Sequence, residues 1–238
     1  MTKYLLYPLF STIVLLSPVS VIHASELSGN VFIANNYIWR GLTRTKDQPT
    51  VQGGVHYRHN IGLYAGLQIS NVDFRPGAGR SEEPLYADTE TIYTLGYSVE
   101  VNEISFLIGY TAYEYPSGGG PRFQEFNGEI GYKGAELSLN YDAEHENLYT
   151  SLSYKRDINE RMQWLAHIGQ YNLSNPDALK LSPEPLFDDY ADILIGLRYM
   201  MDNGFTWGFN FINTNLDTDD TDEYLRFTIS LETSFNLL

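Results

Sequence analysis

Glu125-Phe126-Asn127-Gly128-Glu129-Ile130-Gly131-Tyr132-Lys133-Gly134-Ala135-Glu136-Leu137-Ser138-Leu139-Asn140-Tyr141-Asp142 reads as two strands joined by a tight turn. Phe126, Gly128, Ile130 and Tyr132 share one parity, which Ala135, Leu137, Leu139 and Tyr141 resume beyond Lys133-Gly134. Glu125, Glu129, Glu136 and Asp142 fall on the other parity. Successive side chains of a strand point to opposite faces, so this ribbon has one uncharged face and one that carries carboxylates.

The same alternation runs outward in both directions from Leu27 to the end of the chain, in about 12 segments separated by turn signals. Before the quoted stretch the uncharged parity holds Val31, Ile33, Tyr37 and Trp39, then Val51 to Tyr57, Leu63 to Ile69, Tyr93 to Val99 and Ile104 to Tyr110. After it come Leu148 to Tyr154, Met162 to Ile168, Ala191 to Tyr199, Phe205 to Phe211 and Leu225 to Leu231. No Asp, Glu, Lys or Arg occupies this parity, whereas the interleaved positions carry Arg58, Glu90, Glu125, Glu129, Glu136, Asp142, Asp192, Arg198, Arg226 and Glu232. Asn35 breaks the pattern from one side, and Phe32, Ile38, Leu165, Leu194 and Ile212 break it from the other, which leaves the first and ninth segments the least regular.

Alternation does not say which face is inside, but three features do. Short connections at Asn60, Val101 to Glu103, Lys133-Gly134, Arg156 to Glu160 and Met201 to Gly204 alternate with longer ones. The longer ones are Gly41 to Pro49, Asp73 to Ala87, Pro116 to Arg122, Leu173 to Asp189 and Thr214 to Asp222, with Ala143 to Asn147 as a short exception. Outer-membrane barrels alternate short periplasmic turns with longer external loops in this way, which puts both termini on the periplasmic side. Tyr57, Tyr97, Tyr132, Tyr154 and Tyr199 form a second feature, each on the uncharged parity near a short turn. Such a girdle suits a lipid interface, where the ring meets acyl chains and the hydroxyl meets headgroups. The third is size, because a soluble ligand-binding barrel closes with about 8 strands. The expected fold is therefore all-β, a transmembrane antiparallel up-and-down β-barrel.

Lys3, an apolar run from Tyr4 to Ile22 and the small Ala24 read as a cleaved signal peptide, giving a leader over residues 1–24 and a barrel over 25–238. Pro8 and Pro18 interrupt that run and argue against a spanning helix. The 238 residues carry a net charge of −15, and loss of Lys3 with the leader makes the remainder more acidic still. So acidic a chain is a poor partner for nucleic acid, whose binding depends on neutralising phosphates. With no Cys there is neither a disulfide framework nor a thiolate metal site.

Ser28-Gly29-Asn30-Val31, Tyr37, Arg40-Gly41, Asp47-Gln48-Pro49, Val51-Gln52-Gly53-Gly54, Gly62, Tyr64 and Ser70-Asn71-Val72-Asp73-Phe74 together resemble the TorF family of porins. The likeness continues more loosely through Gly109-Tyr110, Gly131-Tyr132-Lys133-Gly134 and Arg226-Phe227. What it implies is an outer-membrane location and a pore; it brings no catalytic residues and no substrate. One departure is the end of the chain, which runs past Phe235 into Asn236, Leu237 and Leu238 instead of finishing on an aromatic.

The charged parity is the candidate pore lining. About 12 strands enclose a lumen between a side-chain-filled barrel of 8 and an open porin of 16, so a narrow passage for small polar solutes is expected. Its excess of acids predicts a mild preference for cations or neutral solutes. The competing expectation is that Glu125, Glu129 and Glu136 pair with Arg58, Arg198 and Arg226 and fill the interior.

An enzyme is the rival class, as outer-membrane lipid hydrolases use Ser and His. His56, His59, His145 and His167 lack a Ser and an Asn or Asp at a spacing that would set all three side by side on one lipid-facing strand. No enzyme activity and no cofactor are expected. Asp217, Asp219, Asp220, Asp222 and Glu223 lack the glycine and spacing of a calcium loop, and read as an external loop bridged by divalent ions to lipopolysaccharide. Ser117-Gly118-Gly119-Gly120-Pro121 has no following Lys-Ser or Lys-Thr and reads as a hairpin loop. A third class is a receptor barrel binding a partner through the long links, which Pro84, Pro176, Pro183 and Pro185 stiffen.

Overall fold

A computed structural model describes residues 25–74, 87–116, 123–174, 189–215 and 225–238. Residues 1–24, expected to be a leader, the glycine-rich stretch 117–121 and the acidic run 217–223 lie outside the described residues.

Twelve strands form the wall: β1 (Glu26–Ala34), then β4 (Thr50–Arg58), β5 (Leu63–Asn71), β6 (Thr89–Val101), β7 (Ile104–Glu114), β8 (Phe123–Tyr132) and β9 (Ala135–Asp142). β10 (Asn147–Asp157), β11 (Met162–Asn172), β12 (Tyr190–Met200), β13 (Phe205–Thr214) and β14 (Arg226–Asn236) complete it. Each wall strand is antiparallel to both neighbours, and β1 closes the ring by pairing with β4 on one side and β14 on the other. Closure leaves no sheet edge, so each wall strand is laddered on both sides, the condition for crossing hydrocarbon with strands. Ser28 faces Asn236 in register, so the first and last strands meet at the end that carries the short turns.

The short turns follow from local backbone chemistry. Asn102-Glu103 and Lys133-Gly134 are two-residue connections with positive φ at both positions (52° and 67°, 47° and 87°), the mirror-image turn whose twist matches that of the flanking strands.

The two parities separate as the sequence predicts. Ile108, Ile130, Leu139, Leu152, Ile195 and Phe211 are exposed on the outside, while Glu90, Glu125, Glu129, Asp142, Asp192 and Arg198 are buried within. The fold is thus the transmembrane antiparallel up-and-down barrel. Tyr57, Tyr97, Tyr132 and Tyr199 stand exposed on the outer surface and Tyr154 is half-buried there.

One segment departs from expectation. The first wall strand ends at Ala34, and Tyr37 and Trp39 do not continue its outer face; they are 3% and 0% exposed, inside the barrel. The connection through Gly41 to Pro49 is accordingly not a loop standing out from the barrel. Residues 35–49 turn inward as a plug built on a minimal hairpin, β2 (Ile38–Trp39) and β3 (Leu42–Thr43). Its turn, Arg40-Gly41, has φ values of 49° and 78°, the same mirror-image geometry as the wall turns. Gly41 is needed twice over, since a Cβ there would lie 2.8 Å from the Asp192 Cβ as well as occupying the left-handed region.

The plug explains the irregular residues of the alternation. Leu194 and Ile212, apolar side chains on the inward parity, pack on Ile38 of the hairpin, with Leu165 half-buried against them. Phe32 and Ala34 form a second small cluster on the other side of Leu165. Apolar residues point into a polar lumen here because they meet an apolar plug and not water.

Candidate functional site

The plug's side chains meet the loop-end half of the lumen wall. Trp39 lies edge-on to Tyr113, Phe123 and Tyr171, with ring centroids 6.2, 5.8 and 6.0 Å away. Tyr113 from β7 and Phe123 from β8 stack at 3.9 Å, and Tyr190 meets Tyr171 edge-to-face. Such offset and T-shaped pairs are favourable beyond the area they bury.

Two arginines sit in this aromatic box. Arg40 donates from Nη1 and Nη2 to the two carboxylate oxygens of Glu125 at 2.7 and 2.9 Å, a bidentate pair. Its guanidinium carbon is 4.3 Å from the Trp39 and Tyr149 ring centroids and 4.9 Å from that of Tyr171. Arg44 pairs with Glu90 and donates to the Tyr115 hydroxyl at 2.9 Å, with the Trp39 ring 4.1 Å away. Tyr37 and Tyr115 each donate to Glu90 at 2.8 Å, so that carboxylate is held from several sides. Burial disfavours the Arg40 cation, but the Glu125 carboxylate more than offsets this and holds the guanidinium above its ordinary range.

The plug is also tied at its base. Asn36 accepts from the Thr43 and Thr45 hydroxyls, the Asp73 backbone N–H donates to the Arg44 carbonyl, and Arg226 donates to Asp47 at 3.0 Å.

The turn-end half is different in kind. Glu136, Ser153, Lys155, Gln163, His167 and Arg198 border a cavity of about 40 Å³, enough for water. Arg198 donates to Glu232 at 2.6 Å across the β12–β14 side. Glu129 is buried, with one carboxylate oxygen lacking a partner among the described residues. Arg58 and Glu136 are half-buried on the same inner face. Between the halves runs a belt of neutral polar side chains, with Thr111 donating to Asn127, Asn127 to Asn140 and Asn140 to Ser138 at 2.8, 2.7 and 3.1 Å.

The ion pairs are not those the sequence suggests. Glu125 takes Arg40 instead of Arg58, Arg198 takes Glu232, and Arg226 reaches Asp47 at the loop-end mouth. Asp142 binds the His145 ring at 2.6 Å and accepts from the Glu144 backbone N–H, fastening the short Ala143–Asn147 connection. Asp192 accepts from the Tyr149 hydroxyl at 2.9 Å. Arg40 and Arg44 were absent from the expected lining because they lie in a connection. The available signal was the pair of arginines beside Tyr37 and Trp39, in a segment that Asn35 separates from the alternation.

The histidines divide as their parity implies. His56 and His167 are inside, the former 3.2 Å from Asn30. His167 has Ser153 at 2.8 Å from Nδ1, the Tyr149 hydroxyl at 2.8 Å from Nε2 and Asp192 at 3.4 Å. That Ser–His–Asp grouping arises across three strands, where spacing along one strand could not reveal it.

The sequence matches, over residues 21–235, the model of a family described as bacterial protein of unknown function, Gcw_chp. The chain belongs to the Gcw_chp family. No curated protein matches its sequence. Among solved structures, this Gcw_chp barrel resembles the KdgM porin with a TM-score of 0.56 over 87% of this chain and 99% of that one, at 8% identity. The NanC porin gives 0.54 over 89% and 100%, also at 8% identity. A KdgM porin in complex with disordered oligogalacturonate gives 0.52 over 89% and 99%, at 8% identity. At such identities the likeness establishes the shared barrel architecture, and the residues of the lumen must be read on their own.

Proposed function

We propose that this Gcw_chp barrel is an outer-membrane channel for passive diffusion of small hydrophilic solutes, with both termini periplasmic and the 35–49 plug setting its narrowest section. The observation that carries the reading is a closed wall, apolar outside, around a lumen of hydrogen-bonded polar and charged side chains. A solute that leaves water needs replacement partners along its path, and this lining supplies them. The TorF-like block from Ser28 to Phe74, the shared fold of the KdgM and NanC porins, and the leader over residues 1–24 support the same reading.

The lining in this reading is Arg58, Glu129, Glu136, Arg198 and Glu232 at the turn end, and Glu90, Glu125, Asp142 and Asp192 at the loop end, with Arg226 at the mouth. Pairing of Glu90 and Glu125 with plug arginines removes much of the acidity of the docked lumen, so cation preference in that state is weak. The solved KdgM complex contains oligogalacturonate; here the mixed charge of the turn end favours small polar solutes without a strong sign preference. Outer-membrane lipid and lipopolysaccharide are the surroundings this reading requires.

Ser153, His167 and Asp192 carry the enzyme alternative. They face the lumen and not lipid, and the Tyr149 hydroxyl, 2.8 Å from His167 Nε2, donates to Asp192, which favours a hydrogen-bond network in the pore wall. Refolded protein in planar bilayers and in liposome-swelling assays tests the channel. Discrete conductance steps and faster entry of small than of large neutral sugars are expected; folded protein that leaves the membrane silent overturns it.

A further inference from the structure

We propose that the loop-end lumen wall is a binding site for guanidinium-bearing solutes, occupied in the closed state by the plug's own Arg40 and Arg44. The inference rests on the channel reading and adds a ligand class to the same lumen. Four observations carry it.

The wall supplies a carboxylate fork and two aromatic faces for a guanidinium; the third face, Trp39, belongs to the plug. Glu125 from β8 offers two oxygens in the plane of Arg40, and Tyr149 from β10 and Tyr171 from β11 bring ring centroids within 4.3 and 4.9 Å. Glu90 from β6 and the Tyr115 hydroxyl hold Arg44. A planar cation between a carboxylate fork and aromatic faces is the arrangement that selects guanidinium over a hydrated metal ion.

The plug is separable from the barrel. β2 and β3 pair only with each other, and the ring is closed by β1 with β4 and β14. Withdrawal of the hairpin therefore breaks no wall ladder, and the cost falls on side-chain contacts and on the bond from the Asp73 N–H to the Arg44 carbonyl.

The plug's own arginines fit the box incompletely. Arg40 Nε and Arg44 Nε and Nη2 are buried with no hydrogen-bond partner among the described residues. Buried donors left in this state weaken docking and favour exchange with a competitor whose donors are better placed.

Electrostatics gives the sign. When Arg40 and Arg44 leave, Glu90 and Glu125 lose their cationic partners, while Asp142 and Asp192 stand on the same loop-end half of the wall. Carboxylates gathered around one opening favour a cation, and a neutral or anionic solute leaves them uncompensated. The plug thus acts as a tethered mimic of the ligand, and a free solute competes with it by mass action.

The test compares the parent with R40A/R44A, and with R40A/R44A/E90Q/E125Q, using agmatine as the guanidinium probe. The milder R40Q/R44Q pair replaces the first variant if it does not fold, as judged by heat-modifiable gel mobility. Calorimetry on detergent-solubilised protein should show saturable agmatine binding to R40A/R44A at least tenfold tighter than to the parent, lost with the two glutamines. In bilayers the arginine-less variant should conduct more than the parent and pass cations over chloride severalfold better, with millimolar agmatine blocking the current. Channels that conduct but bind agmatine no better without the arginines, or equally well without the carboxylates, overturn the site and leave the channel reading standing. Binding with the expected pattern in a protein that never conducts retains the site and overturns the channel.

Discussion

At the loop end, Arg40 and Arg44 meet Glu125 and Glu90 inside a box of aromatic rings; at the turn end, Arg198, paired with Glu232, borders a cavity shared with Lys155, Glu136 and His167. Both halves face inward from the same twelve strands, yet one is packed like a protein core and the other keeps a cavity large enough for water. Two things make the difference, the wall's own aromatic residues at the loop end and a single connection. Where residues 35–49 fold in, their arginines match the wall's carboxylates; where they do not reach, a cavity remains among side chains of mixed charge.

Core-like packing and hydrated lining respond differently to the same kind of change, which makes the contrast breakable. Trp39→Ala removes a fully buried indole from the box and should cost about 3–5 kcal/mol, measured by urea unfolding from lipid vesicles. A loss near zero would mean that the plug is not docked. Leu139→Arg, on the outer face, should cost about 2–4 kcal/mol if that face meets the bilayer midplane. The same substitution would be nearly free if the outside were water. Gly41→Val introduces both a left-handed β-branched residue and a clash with Asp192, and should weaken plug docking by roughly 1–3 kcal/mol. Hydrogen exchange should report this as faster exchange confined to the hairpin and its contacts. Ser153→Ala, at the wet end, should change stability by less than about 1 kcal/mol, because water can take over the lost hydroxyl's role. Lys133→Ala, on an exposed turn with an exposed partner in Glu103, should leave the unfolding midpoint unchanged.

The wall was legible because lipid and lumen impose opposite demands on alternate residues, and that demand is written at period two. Ile130, Leu137 and Leu139 against Glu129 and Glu136 suffice to fix both strand and face. The turns were legible for an equally local reason, the left-handed backbone at Lys133-Gly134. The plug was not, because its contacts are made between elements far apart in sequence: Arg40 with Glu125, Arg44 with Glu90, Arg226 with Asp47. No periodicity encodes a side chain that reaches across a lumen. Its traces were negative ones, apolar Leu194 and Ile212 on the wrong parity and Asn35 interrupting the right one. The Ser153–His167–Asp192 grouping escaped for the same reason, since register between strands, not spacing along one, brings it together.

The central claim, that residues 35–49 sit in the lumen and govern passage through it, can be tested with one covalent link. The chain has no cysteine, so a designed pair is the only thiol chemistry present. Ile38 of the hairpin packs against Ile212 of the wall, and neither position needs a left-handed backbone. Conductance of Ile38→Cys/Ile212→Cys protein, with the cross-link verified by mass, should be low when oxidised and rise on reduction. A conductance identical before and after reduction of the verified cross-link would contradict the account.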